Sequence, residues 1–230
     1  MCGRFALHAR PEGLALQFGL AAAPALAPRY NVCPGTDVLA VRAGASGERR
    51  AVALRWGLIP RWAKDPAIGQ KLANARGESL AERPAFRDAF RARRCLVPAS
   101  GYYERQAAGR ARQPWYLHPR DGALFGLAGI AATWHGPRGP LRTLALITTA
   151  PNELAARIHD RMPLVIAPAD YGAWLDPANG DLAALKALVR PYPAERMAAH
   201  RVSRRVNGPE SDDAALIAPL AEGPAQGELL

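Results

Sequence analysis

The sequence begins with Met1-Cys2-Gly3-Arg4, a terminus that can carry two nucleophiles on one residue. The side chain of Cys2 is small enough for Met1 to be trimmed, which would expose an amine beside a thiol. An α-amino group titrates near about 7.7 to 8.0, so part of it is nucleophilic at neutral pH. Such an aminothiol condenses with an aldehyde to an imine, which the thiol closes into a thiazolidine. The same terminus would also suit an amidase-type nucleophile with its own amine as base.

The two residues that follow favour a ligand at this terminus. Gly3 lets another molecule approach the backbone closely, and the guanidinium of Arg4 can hold an anionic substrate. The alternative is that Cys2 is incidental, and polar residues elsewhere in the chain must decide between the two.

Glu104 is a candidate for proton transfer. It lies in Gly101-Tyr102-Tyr103-Glu104-Arg105, which reads as a strand. Alternation places Tyr102 and Glu104 on one face. A carboxylate shielded by an aromatic ring would have a raised pKa, which suits a general acid and base. The alternative is a solvated glutamate at a strand end.

His159 is a second candidate for proton transfer, between a predicted short helix and an apolar strand. A helix C-terminus favours a charged, exposed imidazole, and Asp160 and Arg161 add charge beside it. A histidine that only caps the helix is the alternative.

Three further residues have side chains that suit nucleic acid. Asn74 and Arg76 are two apart, so they face the same way in an extended chain and could hold a sugar hydroxyl and a phosphate. Trp62 could stack on bases. Structural roles in closing and packing a loop are the alternatives for all three.

The charge of the chain favours an anionic partner. The formal net charge is +10, and all but three of the 30 basic residues are arginine. The planar arginine fork suits phosphate, which makes nucleic acid the leading partner. A GC-rich genome, which favours arginine and alanine codons, would explain the composition equally well.

The composition also restricts the class of protein. The three cysteines, Cys2, Cys33 and Cys95, are odd in number and too far apart for a disulfide framework or a zinc site. The sequence contains neither a signal-peptide run nor an apolar stretch long enough for a membrane span. We therefore expect a cytoplasmic, nucleoid-associated monomer with no cofactor, no metal and no membrane partner.

Apolar periodicity and turn residues predict short helices and many strands. The predicted helices cover residues 11–19, 78–93 with a break at Pro84, 151–158, 168–175 and 182–188. The predicted strands cover residues 38–41, 51–56, 95–99, 102–105, 115–118, 124–130, 141–149, 162–166 and 197–202. A long loop covers residues 57–72.

Most of these strands have neighbours at hairpin spacing. We therefore predict an α+β fold, with a mainly antiparallel β-barrel-like core and peripheral short helices. Residues 1–230 form one domain in this prediction, with a flexible tail from about residue 215.

Seven short motifs occur in one order along most of the chain, and together they resemble the SRAP (SOS response-associated peptidase) family. They are Met1-Cys2-Gly3-Arg4-Phe5; Tyr30-Asn31-Val32 with Pro34-Gly35; Trp56-Gly57-Leu58-Ile59-Pro60; Asn74-Ala75-Arg76-Gly77-Glu78; Pro98 with Gly101-Tyr102-Tyr103-Glu104; Ile158-His159-Asp160-Arg161-Met162-Pro163; and Val202-Ser203 with Val206-Asn207.

The resemblance implies a protein that shields abasic sites in single-stranded DNA by covalent crosslinking through the mature N-terminus. It assigns Cys2 as the nucleophile, Asn74 as the residue that orients the sugar, and Glu104 and His159 as the proton-transfer groups. The DNA-binding residues that it implies are Gly3, Arg4, Trp62, Arg76 and Arg161, with Trp62 as a wedge beside the DNA. It also implies removal of Met1, in which the peptidase label would lie, and a weak lyase activity as a by-product.

Two features of the chain depart from the family pattern. Arg105 follows Glu104 where the family usually has tryptophan, and residues 208–213 are unusually acidic for the edge of a DNA groove. Two other functions also remain open at this stage. They are an N-terminal-cysteine thiol peptidase or amidase and a non-covalent binder of single-stranded nucleic acid.

Overall fold

The computed structural model describes residues 2–108 and 111–220 of the chain. The predicted removal of Met1 and the last ten residues of the predicted tail lie outside the described residues. Ala214–Ile217 forms a 3-10 helix, and Leu216 within it is fully buried. The chain is therefore still packed on the protein at the point where the sequence predicts that the tail begins.

The described residues form thirteen β-strands. They are β1 (Arg4–Leu7), β2 (Arg29–Val32), β3 (Asp37–Ala43), β4 (Arg49–Trp56), β5 (Asn74–Arg76), β6 (Arg94–Ala99), β7 (Gly101–Ala108), β8 (Ala111–Pro119), β9 (Phe125–Gly136), β10 (Gly139–Thr149), β11 (Met162–Pro163), β12 (Val165–Ile166) and β13 (Met197–Arg201).

The helices of the described residues are short and lie between these strands. The α-helices are α1 (Pro11–Phe18), α2 (Arg87–Ala92), α3 (Glu153–Ala156), α4 (Tyr171–Leu175) and α5 (Leu182–Ala187). The remaining 3-10 helices are Pro66–Lys71, Gly77–Ser79, Pro168–Asp170, Ala194–Arg196 and Arg204–Asn207. None of the helices described is suited in length and hydropathy to crossing a membrane.

Five strands close into a barrel. Their order is β10-β4-β3-β6-β9, and β9 pairs again with β10. The pairings are antiparallel except that of β10 with β4, and β5 adds a second parallel pairing on β10. The predicted barrel-like core with peripheral short helices is therefore confirmed, and the closure explains how the strands avoid open edges.

A second, antiparallel sheet has the strand order β13-β8-β7-β1-β2. One of its faces contributes Phe5, Tyr102 and Leu117 to the main core. The opposite face carries Tyr103 and Tyr116, which pack under residues from the chain after β13. Side chains alternate along each strand, so one residue of register decides which face a functional side chain occupies.

Trp56 joins the barrel to the second sheet. Its side chain is buried, and its ring lies 5.4 Å from that of Phe5 between centroids. Its indole nitrogen donates a hydrogen bond of 2.8 Å to the carbonyl of Ala73. Because Ala73 directly precedes β5, this buried contact fixes the approach of the chain to Asn74.

Two regions differ from the sequence-based prediction. The predicted strand 162–166 is two short strands, β11 on β10 and β12 on β9, with Leu164 bonded to both neighbours between them. An apolar run cannot reveal this change of partner. The helical pattern over 78–93 yields only α2 and a 3-10 turn, because proline disfavours helix in the residue before it.

Arg94 is a buried cation that ties two helices to the barrel. Its side chain is 3% exposed and donates to the carbonyls of Phe90 and Arg91 at the end of α2. It also donates to Trp174 and to carbonyls just after α4. Burial lowers the pKa of Arg94, but its hydrogen bonds satisfy helix-end carbonyls that would otherwise lack donors.

We expect Arg94→Met to lower the free energy of unfolding by about 3 kcal/mol, because several buried carbonyls lose their donor together. Urea denaturation measures the change. The matched control is Arg91→Ala, which alters an exposed neighbour on α2 and should change stability by less than about 0.5 kcal/mol. Equal stability of the two variants would show that the buried guanidinium does not hold these helices.

Candidate functional site

Cys2 lies two residues before β1, and its side chain is completely buried. β1 is an inner strand between β7 and β2, and it pairs Arg4 with Tyr103. The residues before Arg4 therefore run toward Glu104. Burial raises the pKa of the Cys2 thiol far above its ordinary value, and the negative charge of Glu104 adds to this effect. The thiol is protonated at neutral pH in this environment.

Asn74, on a strand that pairs with the barrel, contacts Cys2 from the other side. Its side-chain amide donates a hydrogen bond of 2.8 Å to the carbonyl oxygen of Cys2. β5 places it there by pairing in parallel with β10, opposite Leu146. The Oδ1 atom of Asn74 is buried and has no hydrogen-bond partner within the described residues. The amide thus positions the terminus with its donor and keeps an acceptor for a ligand.

Glu104 lies on β7 and is 6% exposed. Tyr102, on the same face, is fully buried against the main core. Burial raises the pKa of the Glu104 carboxyl, and protonation of His159 would act in the opposite direction. A carboxylate in this environment exchanges protons more readily near neutral pH than a solvated one does.

His159 follows α3 and faces Glu104, with 4.0 Å between its Nε2 and a carboxylate oxygen. Its Nδ1 lies 3.0 Å from the backbone N–H of Arg161 and 2.8 Å from an Asp160 oxygen. Nδ1 cannot accept from one and donate to the other in the same state. The Asp160 side chain is 87% exposed and its charge is screened by water. We therefore assign Nδ1 as the acceptor of the Arg161 N–H and place the proton on Nε2, toward Glu104.

Arg4 has internal partners. Its guanidinium donates to Asn31 Oδ1 at 2.8 Å, to Cys33 Sγ at 2.9 Å and to the carbonyl of Asn207 at 2.6 Å. These contacts use three of its five N–H groups. Arg4 therefore fixes the chain around the site, and a phosphate would have to share its remaining donors.

Arg161 is also held internally. It donates to both carboxylate oxygens of Glu78, at 2.7 and 2.9 Å, and to the carbonyl of Thr148 at 2.7 Å. These hydrogen bonds lower the pKa of the Glu78 carboxyl. The clamp joins the His159 segment to the ends of β5 and β10, which positions His159.

Arg76 and Trp62 are the accessible members of the predicted DNA-binding set. Arg76 is exposed at the end of β5, and the Trp62 side chain is 61% exposed. Trp62 lies on the predicted loop, whose two ends meet where Gly57 approaches Gly69. A Cβ atom on Gly57 would lie 2.8 Å from the carbonyl oxygen of Gly69, and Gly57 has a φ of +132°, so the loop closes only with glycine.

A cavity of about 220 Å³ opens beside the terminus. It is lined by residues from the second sheet, from the segment after α3 and from the chain after β13: Gly3, Arg4, Tyr103, Glu104, Arg105, Arg112, Pro114, His159, Val206 and Asn207. Four of the predicted site residues, Gly3, Arg4, Glu104 and His159, therefore share one cavity. The other five predicted site residues, Cys2, Asn74, Trp62, Arg76 and Arg161, are not among its lining residues.

Two of the lining residues give the cavity a basic rim. Arg105 and Arg112 are both exposed. Arg105 replaces the tryptophan usual in the family, and sequence reasoning gave Arg112 no role. Arg105 lies on β7 and Arg112 on β8, and the antiparallel pairing of these two strands brings them to the same edge of the cavity.

Asn31 is a buried organiser that sequence reasoning did not single out. Its amide donates to the carbonyls of Ser211 at 2.7 Å and Gly208 at 2.9 Å. Asp212 accepts from the backbone N–H groups of Tyr30 and Asn31. Asp213 pairs with Arg205. The acidic segment 208–213 is therefore used to fasten the chain onto β2, which explains its charge.

These residues bring the backbone of Cys2, a neutral thiol and a carboxyl–imidazole pair together, and removal of Met1 would add an amine to them. The described residues contain no group of three or more His, Cys, Asp or Glu side chains arranged to hold a metal ion. The arrangement suits addition to a carbonyl compound followed by proton transfers.

Comparison with known proteins agrees with this geometry. The SOS response associated peptidase (SRAP) family matches residues 1–209. The abasic site processing protein YoqW of Bacillus subtilis (strain 168) is 40% identical over 222 residues, which cover 94% of this chain and 99% of YoqW. The abasic site processing protein YedK of Escherichia coli (strain K12) is 30% identical over 227 residues, which cover 96% and 100%.

A solved structure shares the fold. A protein from Bacteroides thetaiotaomicron superposes with a TM-score of 0.85 at 25% sequence identity, over 96% of this chain and 100% of that chain. The family match spans most of the chain, and it includes the N-terminal cysteine, the Asn74 strand and the Glu104–His159 pair. The chain belongs to the SOS response associated peptidase (SRAP) family.

Proposed function

We propose that the protein captures abasic sites in single-stranded DNA, by forming a thiazolidine between the sugar aldehyde and mature Cys2. The observation that carries this proposal is the meeting of three elements at one terminus. Asn74 binds the Cys2 carbonyl, and Glu104 and His159 face each other in the adjoining cavity. The names of the relatives, which are abasic site processing proteins, support the same substrate.

The first step requires an open-chain sugar and an unprotonated amine. An abasic deoxyribose opens to an aldehyde when a base takes the proton of its C1′ hydroxyl and an acid protonates the ring oxygen. The Cys2 amine then attacks C1′, and the resulting carbinolamine loses water to give an imine. Glu104, with its raised pKa, supplies and accepts these protons. Asn74 Oδ1 accepts a hydrogen bond from a sugar hydroxyl.

The second step closes the ring. The Cys2 sulfur attacks C1′ of the imine, and the thiol proton passes to the imine nitrogen. The net change is the loss of one water from aldehyde and protein. In its imidazolium form His159 assists the preceding loss of water by protonating the carbinolamine oxygen, and as neutral imidazole it takes a proton back when the adduct reverses.

Burial decides the order of the nucleophiles. The raised pKa of the Cys2 thiol leaves little thiolate for a first attack. An α-amine with a pKa near about 8 is partly unprotonated. The amine therefore attacks first, and the sulfur acts once the imine has formed. This ordering argues against a thiolate-first peptidase or amidase.

The imine also permits a side reaction. It acidifies the protons at C2′, so a base can remove one and expel the 3′ phosphate by β-elimination. Capture of C1′ by the thiol competes with this path. We propose that lyase activity is weak for that reason. Met1 removal by ordinary methionine trimming would suffice to expose the terminus, and removal by the protein itself would give the same product.

The DNA strand enters past Arg76 and Trp62 in this proposal. Arg76 is exposed at the end of β5 and neutralises a phosphate. Exposed Trp62 stacks on a base or blocks a second strand. Arg4 and Arg161 act mainly by fixing the terminus and the His159 segment, since their guanidinium groups already have protein partners. One such site per chain needs only a monomer, and the DNA partner implies association with the nucleoid.

Mixing the mature protein with an abasic oligonucleotide should give a one-to-one adduct, which intact-mass measurement detects as the sum of both masses less one water. We expect Cys2→Ala to give no stable adduct without a reductant, because no thiol closes the ring. Borohydride should restore an adduct to Cys2→Ala, because its terminal amine still forms the imine. Cys95→Ala is the matched control, since Cys95 lies in the barrel core, and it should react like the wild type.

Three outcomes contradict the proposal. A wild-type protein with an exposed Cys2 amine that forms no adduct excludes covalent capture. A stable adduct on Cys2→Ala without reductant shows attachment elsewhere. DNA protection that survives in Cys2→Ala favours a non-covalent binder.

Glu104→Gln should slow adduct formation about a hundredfold, because the amide cannot exchange protons with the opening sugar. Binding of undamaged single-stranded DNA should stay near the wild-type affinity. The measurement is a time course of adduct formation at saturating protein, with exposed Glu12→Gln as control. An unchanged rate in Glu104→Gln would remove the carboxyl from the mechanism.

The same substitution should make the protein more stable at neutral pH. Folding raises the pKa of Glu104, so the ionised carboxylate opposes folding. This destabilisation is absent below the unfolded-state pKa, grows as the pH rises toward the folded-state pKa, and is complete above it. Urea denaturation at pH 7 should therefore give a higher free energy of unfolding for Glu104→Gln than for the wild type. This difference in free energy should disappear at acidic pH. A constant gap at all pH values would contradict the burial argument.

A further inference from the structure

A cluster of arginines lies toward the end of the barrel away from the Cys2 site. Arg142 is near the start of β10, whereas Leu146 and Thr148, further along that strand, pair with Asn74 and Arg76. Arg42 lies near the end of β3, and Arg93 directly precedes β6. Four to six strand residues separate the two places, which is roughly 13 to 20 Å.

The three arginines line one cavity of about 300 Å³. Its remaining lining residues are apolar or neutral: Val52, Leu54, Ala131, Ala132 and Thr133. Within the described residues, Arg42, Arg93 and Arg142 form no ion pair with a carboxylate. A cavity that gathers three cations without an acid is suited to an anion.

The hydrogen bonding of the cluster is incomplete. Arg93 donates from Nε to the carbonyl of Ala131 at 3.2 Å, which fixes its position at the cavity wall. The Nε of Arg42 is buried and has no hydrogen-bond partner in the described part of the chain. Buried donors are normally paired, so this donor points to a ligand that the protein alone does not provide.

Electrostatic repulsion between the arginines also favours a bound anion. Burial lowers the pKa of Arg93, and the positive charges of Arg61 and Arg42 lower it further, although Asp88 opposes them. An anion in the cavity would relieve this repulsion. Arginine forks hold phosphate oxygens with paired, charge-assisted hydrogen bonds.

The loop beside the cluster carries the most exposed aromatic residue of the proposed DNA path. Arg61 is close enough to influence Arg93, and its neighbour Trp62 is 61% exposed. The indole of Trp134, on β9, donates a hydrogen bond of 2.7 Å to the carbonyl of Ala63. This bond holds the loop on the barrel. Trp134 follows the cavity residues Ala132 and Thr133 along β9, so this hydrogen bond holds the Trp62 loop on the same strand that lines the arginine cavity.

We propose that Arg42, Arg93 and Arg142 bind a backbone phosphate of single-stranded DNA, at a nucleotide beyond the one that contacts Trp62. The choice of DNA as the source of the phosphate rests on the proposed function. The cavity would then extend the binding site along the strand, and the affinity for undamaged DNA would depend on length. Stacking on an aromatic side chain with cations along the backbone is the general mode for such strands.

The test is binding of undamaged oligothymidylate, which does not depend on the capture chemistry. The variant is Arg42→Gln with Arg142→Gln, and the matched control removes the same charge elsewhere through Arg10→Gln with Arg190→Gln. Fluorescence anisotropy over a series of salt concentrations measures the affinity. Arg142→Gln alone is a second variant, because Arg142 is exposed and its loss should not affect folding.

We expect the double variant to bind a long oligothymidylate about fivefold more weakly than the control at low salt. Its log–log salt slope should fall by about 0.7, the value for one phosphate contact with a single strand. Arg142→Gln alone should also lower the affinity for long oligothymidylate and the salt slope, but by smaller amounts. A short oligothymidylate that spans only the Cys2 cavity and Trp62 should bind the double variant and the control equally.

Two results would overturn the proposal. If the double variant and the control bind long oligothymidylate with the same affinity and slope, the cavity takes no DNA phosphate. If inorganic phosphate raises the thermal midpoint of the wild type but not of the double variant, while DNA binding is unchanged, the site takes a free anion. Failure of covalent capture by the wild type would leave this binding result unaffected, so the two proposals fail separately.

Discussion

The site depends on the pairing of β1 with β7 at the centre of the second sheet. This register commits the residues before Arg4 to run beside Glu104, so the fold itself sets the position of Cys2. The hydrogen bond from Asn74 to the Cys2 carbonyl then fixes the same residue from the barrel. In the proposed reaction a residue held by two sheets would react from one position, and the chain would lose little entropy when it binds a substrate.

Burial sets the chemistry of the groups gathered there. The same low-polarity environment keeps the thiol of Cys2 protonated and raises the pKa of Glu104. In the proposed reaction these shifts separate the roles of an amine that attacks, a carboxyl that exchanges protons and a sulfur that acts last. Ion pairs and hydrogen bonds around the site, such as Arg161 with Glu78 and Arg4 with Asn31, are structural supports. They explain why charged residues close to a DNA site need not contact DNA.

Much of the fold follows from the sequence, but the partners of the strands do not. Hairpin spacing predicts β3 with β4, and alternation predicts that Tyr102 and Glu104 share a face, because both are local properties. Closure of the barrel through β9 and β10, and the parallel pairing that brings Asn74 to β10, depend on contacts between distant parts of the chain. The motifs predict which residues form the site, whereas the internal partners of Arg4 and Arg161 required the structure. Asn31 was missed as an organiser because a buried asparagine in a short strand has no distinctive spacing.

A structure of the mature protein joined to an abasic oligonucleotide would test the central claim most directly. The account predicts that C1′ of the sugar is bonded to both the nitrogen and the sulfur of Cys2. It also predicts that Asn74, Glu104 and His159 contact the opened sugar while β1 keeps its register with β7. A sugar bonded through another residue, or a Cys2 terminus that has left its place beside Glu104 to reach the DNA, would contradict it.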